Sequence, residues 1–184
     1  ESLDADILVA KGEKRVSGRS SNKRGSDNII TNGSIISVNE GQSMIIVEQG
    51  KIVEFCAEPG EFVYDSSTEP SIFYGGLGEG IKKSFQTLGK RFTFGGDTAK
   101  DQRVYYFNMK EIVGNKFGTP TPIAFRVIID ETLGYKLSVD LRCNGVYSYK
   151  IVDPILFYTN VCANVEYTYE RSEIDDMLKG ELLN

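Results

Sequence analysis

The sequence predicts an α+β domain, and three observations carry that prediction. The first is a period of two in the apolar residues. In residues 123–129, Ile123, Phe125, Val127 and Ile129 are apolar. Residues 136–143 repeat the pattern, with Leu137, Val139, Leu141 and Cys143 on one side and Lys136, Ser138, Asp140 and Arg142 on the other. Successive side chains of a strand point to opposite faces, so these runs are expected to bury one face and wet the other. The second observation is Asp153-Pro154. Asp caps a helix and Pro suits its first position, so a helix is expected from there to about Asn164. The third lies at the end of the chain. Ser172 can cap a helix with Glu173, Asp175 and Asp176 in its first turn, and Ile174, Met177, Leu178 and Leu182 recur at helical spacing.

In chain order, residues 7–10 form a short apolar run with strand character. Residues 11–28 are rich in Ser, Gly, Lys and Arg. Their basic side chains, Lys11, Lys14, Arg15, Arg19, Lys23 and Arg24, form a candidate patch for anionic lipid headgroups or another acidic partner; the alternative is a solvated loop without a ligand. A β-meander follows, with strands at 34–38, 44–48 and 51–56 joined by turns at Glu40-Gly41 and Gln49-Gly50. A short strand at 62–64 comes after the Glu58-Pro59-Gly60-Glu61 turn. Asn32-Gly33-Ser34 fits a glycosylation acceptor, a pattern too common to carry weight. A hinge at Gly75 to Gly80 is expected to lead into a short helix at 81–88, ended by Gly89. Residues 103–108 read as a strand covered on both sides, because Val104 and Tyr106 face one way and Tyr105 and Phe107 the other. The loop at 130–135 contains Gly134 and suits a hairpin. Asn144-Gly145 is expected to make a tight turn into a further strand at 146–151, and Tyr167 and Tyr169 to lie on a last short one.

Composition bounds the function. The 184 residues fit one domain, or one domain with a short appendage. A net charge of −5 argues against a general nucleic-acid binder, whose phosphate contacts need a basic surface. No apolar run is long enough to cross a bilayer and no signal-peptide pattern opens the chain, so any membrane contact is expected to be peripheral or through a partner. The chain opens without Met and is expected to be a piece of a longer protein, ending within its last helix. Histidine is absent, which excludes His-based triads, His general bases and most catalytic zinc sites. Cys56, Cys143 and Cys162 are odd in number and far apart, which fits buried, reduced thiols in a cytoplasmic setting rather than a disulfide framework.

No motif here specifies catalysis. Gly75 and Gly80 have the spacing of a phosphate loop, but Ile81 stands where that loop needs Lys. Asp97 and Asp101 are spaced like paired carboxylates, without a third group converging on them. Glu58, Glu61 and Asp65 are the remaining acidic candidates for a small-molecule enzyme. No catalytic residue, cofactor or metal ligand is therefore assigned.

A set of short motifs, taken in order, resembles the SPFH (Band 7, stomatin–prohibitin–flotillin) superfamily, and most nearly its bacterial virion-core-protein-like branch. They are Gly33-Ser34-Ile35-Ile36-Ser37-Val38 with Glu40-Gly41-Gln42, Gly50-Lys51-Ile52, Glu58-Pro59-Gly60-Glu61-Phe62 and Phe92-Thr93-Phe94-Gly95-Gly96. Most specific are Asn115-Lys116-Phe117-Gly118-Thr119, Pro122-Ile123, the run from Arg142 to Ile151, and Asp153-Pro154. The resemblance implies a curved, mostly antiparallel β-sheet flanked by short helices. It divides the chain into an N-terminal extension with a basic flexible loop at 1–28, an SPFH-like domain at 29–171 and the start of a helical or coiled-coil segment at 172–184. It implies no enzyme activity and no cofactor. The partners it implies are further copies of the chain, joined through C-terminal helices beyond residue 184, and a membrane protein or membrane surface contacted peripherally at the inner face of the cell membrane. The alternative is a soluble structural or virion-like assembly protein without a membrane role.

Overall fold

Strands with apolar side chains on both faces need cover on both faces. Gln42–Glu48 and Gln102–Asn108 are such strands, and they pair with each other over their whole length. The computed structural model of the chain describes residues 2–15, 28–31, 33–64, 72–73 and 101–183. Twelve strands appear in it: β1 (Ile7–Lys11), β2 (Ile35–Val38), β3 (Gln42–Glu48), β4 (Lys51–Cys56), β5 (Gly60–Val63), β6 (Ile72–Phe73), β7 (Gln102–Asn108), β8 (Ile112–Gly118), β9 (Ile123–Asp130), β10 (Tyr135–Leu141), β11 (Asn144–Tyr149) and β12 (Thr168–Glu170). The helices are α1 (Pro154–Phe157), running on into a π-helical segment at Tyr158–Cys162, and α2 (Ser172–Leu183). The mostly antiparallel strands with short helices fit the α+β class. The expected helix at 81–88, the Gly75–Gly80 hinge and the loops around Asp65 and Asp97 lie outside the described residues.

The chain forms two compact units, Glu1–Lys110 with Lys150–Arg171, and Glu111–Tyr149 with Ser172–Asn184. The first contains a six-stranded sheet in the order β12-β1-β7-β3-β4-β6, antiparallel except for the β4–β6 pair. Between β3 and β4, Gln49 and Gly50 both take positive φ, at 49° and 77°, as a two-residue hairpin turn matched to strand twist requires. On one face of this sheet Met44, Ile46 and Cys56 pack with Ile36 and Val38 of β2, and half-buried Val104 and Tyr106 join them. On the other face Tyr105 is fully buried, its ring centroid 5.2 Å from that of Tyr158. The reading of 103–108 as a strand covered on both sides is thus borne out.

Asp153 caps α1 as expected, its carboxylate accepting from the backbone N–H groups of Ile155 and Leu156, each at 3.0 Å. The α-helix expected to reach Asn164 lasts one turn before it widens. The Thr159 hydroxyl donates to the carbonyls of Ile155 at 3.0 Å and Leu156 at 3.2 Å, so a side chain competes for the acceptors of the ordinary ladder.

The second unit departs further from the sequence pattern. Asn144-Gly145 is not a turn. Both residues belong to β11, which pairs not with β10 but with β8, a strand the alternation did not reveal. Neither residue has positive φ. Gly145 is needed for closeness instead: a Cβ there would lie 2.6 Å from Cε1 and Cζ of Phe117, its cross-strand neighbour. Asn115, buried in β8, donates to the carbonyls of Ile112 at 2.9 Å and Tyr147 at 3.2 Å and ties the pair together. α2 lies against β8; its Ile174 is buried, and the Tyr149 hydroxyl donates to Asp175 at 3.0 Å.

β9 and β10 form a two-stranded ribbon, with Asp130 accepting from the N–H groups of Thr132 and Leu133 in its loop and Gly134 at φ 68°. The cross-strand pairs Ile123–Leu141, Phe125–Val139 and Val127–Leu137 place the apolar side chains on one face, as the alternation predicts. That face is not buried, however. Ile123 is 57% exposed, Phe125 53%, Leu137 50% and Leu141 48%. Period 2 says which side chains share a face; it does not say that another layer covers it.

Two measurements test this account. Gly145→Ala is expected to destabilise the second unit by about 1–2 kcal/mol, the usual penalty of overpacking, and less when combined with Phe117→Ala; denaturant melts of the single and double variants read this out. Burial, and next the neighbouring Tyr105, push the Tyr158 hydroxyl up to about 12. A folded-state value above that of the unfolded chain means that this contribution is complete below about pH 10 and is lost as pH rises towards 12. Thermal melts across pH 9 to 12 are expected to show a smaller alkaline fall for Tyr158→Phe than for the natural chain.

Candidate functional site

The basic patch starts where β1 ends. Gly12 continues the chain hard against β7: its N–H donates to the Val104 carbonyl at 2.7 Å, and a Cβ would lie 3.0 Å from the Tyr106 ring. This close approach places Lys14 beside β7. A cavity of about 100 Å³ opens there, and its lining includes the polar residues Glu13, Lys14 and Ser34 beside Ile29, Val104 and Tyr106. The Lys14 ammonium is shielded from solvent and has no hydrogen-bond partner among the described residues. The residue as a whole is half-buried, so an anionic group entering the cavity could reach this cation. Burial also raises the Tyr106 hydroxyl, which keeps the phenol neutral beside it.

Of the other basic candidates, Lys11 donates to the Asn28 side chain at 2.7 Å and Arg15 makes a contact of its own, so neither matches Lys14. Arg19, Lys23 and Arg24 lie outside the described residues. The sequence named Lys14 as one of six basic residues. What sets it apart, a shielded ammonium beside the Val104 and Tyr106 side chains, goes with the approach of Gly12 to β7 and is not legible in a run of charges.

The acidic candidates do not converge. Glu58 and Glu61 are exposed, and Asp65 and Asp97 lie outside the described residues. Asp101 forms an ion pair with Arg103 at 2.9 Å, both part-exposed. Among the described residues no group of three or more Cys, Asp or Glu side chains could hold a metal ion. Burial raises the carboxyl of Glu54, opposite Ile46 in the β3–β4 pair; its position in a plain strand pattern gave no reason to single it out. Cys56 and Cys162 are buried and free, as expected, whereas Cys143 is exposed, a correction to the expectation that all three thiols are buried. Burial raises the Cys56 thiol, which donates to the Glu58 carbonyl at 3.5 Å, so it is a poor nucleophile. No described helix is long and apolar enough to cross a membrane.

Among the described residues, the Lys14 ammonium is one of several shielded polar atoms without a hydrogen-bond partner, Gln42 and Ser43 supplying others, and the ribbon carries an exposed apolar face.

Comparison with known proteins gives one family. The model of the SPFH domain-Band 7 family matches residues 23–184. No curated protein and no solved structure matches the chain. Matched over most of its length and carrying the motifs read above, the chain belongs to the SPFH domain-Band 7 family.

Proposed function

We propose that this chain is a scaffold domain without enzyme activity, which assembles with further copies of itself and gathers partners at a membrane surface. The observation that carries the reading is the family match over residues 23–184, since this family's domain is of the scaffold type. The scatter of the acidic side chains among the described residues agrees with it. Attachment is peripheral, at the cytoplasmic face of the cell membrane, through a membrane protein or through anionic groups received by Lys14 with help from Lys11 and Arg15. Self-assembly runs through helices that continue α2. The face exposed on the ribbon favours assembly as well, because large apolar patches on soluble chains mark contact surfaces. The second reading, a soluble structural or virion-core-like assembly protein, shares the self-assembly and lacks the membrane.

Flotation separates the two. The chain is expected to rise with native cell membranes, or with vesicles rich in phosphatidylserine, and to be released as salt is raised to ~0.5 M, where exposed charges are screened within a few ångströms. Lys14→Glu is expected to weaken a direct lipid contact, and to leave a contact made through a membrane protein largely in place. A chain that assembles yet floats with neither membrane preparation would overturn the membrane reading in favour of the soluble one.

A further inference from the structure

We infer that two copies of this chain join edge to edge through β10, antiparallel about a two-fold axis at Ser138. The inference rests on the self-assembly reading above and supplies one surface for it.

Three observations support it. First, the β9–β10 sheet has two strands, and among the described residues nothing pairs with the outer edge of β10. An isolated two-stranded ribbon is at best marginally stable in water, and an open edge is a template for another strand. Second, its apolar face is exposed, so added strands would extend a surface that already avoids water. Third, β10 is complementary to itself. Its sequence is Tyr135-Lys136-Leu137-Ser138-Val139-Asp140-Leu141. Paired antiparallel with a second copy about Ser138, Lys136 of each copy faces Asp140 of the other. On the opposite face Leu137 meets Val139 and Tyr135 meets Leu141.

The register is selective. Moving the axis one residue on, to Val139, sets Lys136 against Arg142, two like charges. Moving it one residue back, to Leu137, sets Lys136 against Ser138 and leaves Asp140 opposite Gly134 in the loop. Half-residue shifts set Lys136 or Asp140 against apolar side chains. A lone edge lysine repels its own copy and blunts an edge; Asp140, four residues on, turns that repulsion into a match for this chain alone. β9 does not offer the same edge. Its only acid, Asp130, is engaged with the N–H groups of Thr132 and Leu133. Self-complementarity about a two-fold axis also favours a second copy over an unrelated partner, because an isologous contact needs one strand to satisfy both sides. The product is a four-stranded sheet, β9-β10-β10-β9, with the two apolar faces continuous.

Disulfide trapping and charge exchange test this on the whole chain. Directly opposed residues of an antiparallel pair have Cα atoms about 4.5–5.5 Å apart, within disulfide reach. With Cys143→Ser removing the exposed thiol, Ser138→Cys is expected to give a covalent dimer under mild oxidation. Arg126→Cys, across from Ser138 on β9, serves as the control and is expected not to do so. Lys136→Asp creates two like-charge pairs and is expected to raise the dimer dissociation constant roughly tenfold, and Lys136→Asp combined with Asp140→Lys to restore it. Equal trapping at 138 and 126, or equal dimerisation of the single and exchanged variants, overturns the pairing. If the natural chain assembles by light scattering while Ser138→Cys stays untrapped, the pairing falls and the assembly reading stands. If the chain is monomeric at every concentration reached, the pairing falls. If trapping fails and Phe125→Glu abolishes flotation with vesicles, the ribbon's occupant is a lipid surface and the pairing is overturned.

Discussion

The ladder between β3 and β7 is the constraint on which the first unit depends. It runs without a break from Gln42–Asn108 to Glu48–Gln102, joining strands separated by more than fifty residues of chain. Closing so long a loop is entropically unfavourable before any contact forms, so the pairing must be secured at both ends. Buried amides secure it. At one end Gln102 donates to Glu48 at 3.0 Å and to Tyr64 at 2.6 Å, and its side-chain carbonyl accepts from the N–H of Ile30 at 3.1 Å. At the other, Asn108 donates to the carbonyls of Asp4 and Ile7 and accepts from the N–H of Lys110. Each amide holds the ladder and also fixes where a neighbouring segment passes. The stretch at 28–30 and the end of β5 are held by Gln102, and the entry to β1 by Asn108. Removing either would leave several buried donors and acceptors unpaired at once, a larger loss than that of one hydrogen bond.

This explains which elements could be read from the sequence. β4 appears at the expected residues, because Ile52, Val53, Phe55 and Cys56 follow the tight Gln49-Gly50 turn and favour a strand locally. The Gln49-Gly50 turn and the Asp153 cap likewise depend on their own residues and a few neighbours. The pairing of β8 with β11 does not. β8 contains Gly114, Asn115, Lys116 and Gly118, a poor strand pattern, and it is held by the buried Asn115 amide and by the fit of Phe117 over Gly145. A glycine needed for space looks in sequence like a glycine needed for positive φ. Asn144-Gly145 was therefore read as a turn, which local chemistry alone would favour.

The same distinction applies to the candidate site. Composition excluded histidine chemistry outright, and the structure scatters the acidic candidates that remained among the described residues. Lys14 was legible as a charge and not as a buried one. Its isolation follows from Gly12 lying against Val104 and Tyr106, a contact between residues more than ninety positions apart. Sequence reasoning finds residue types readily, whereas it finds their desolvation only when the covering layer is local.

The ribbon shows where that reasoning can still extend past the coordinates of one chain. Alternation sorted its side chains onto two faces correctly, yet neither the pattern nor the fold of a single copy supplies a cover for the apolar one. A chain under selection to remain a monomer would place charges on such a face or shorten such an edge. This one keeps six apolar side chains on the face, and the two charges of its β10 edge are of opposite sign, two residues either side of Ser138. Within the ribbon neither charge is directly opposed by another, since Lys136 lies opposite Ile128 and Asp140 opposite Ala124. A second β10 laid alongside about Ser138 would set each of these charges against its opposite, which is why the spacing bears on the pairing inferred above.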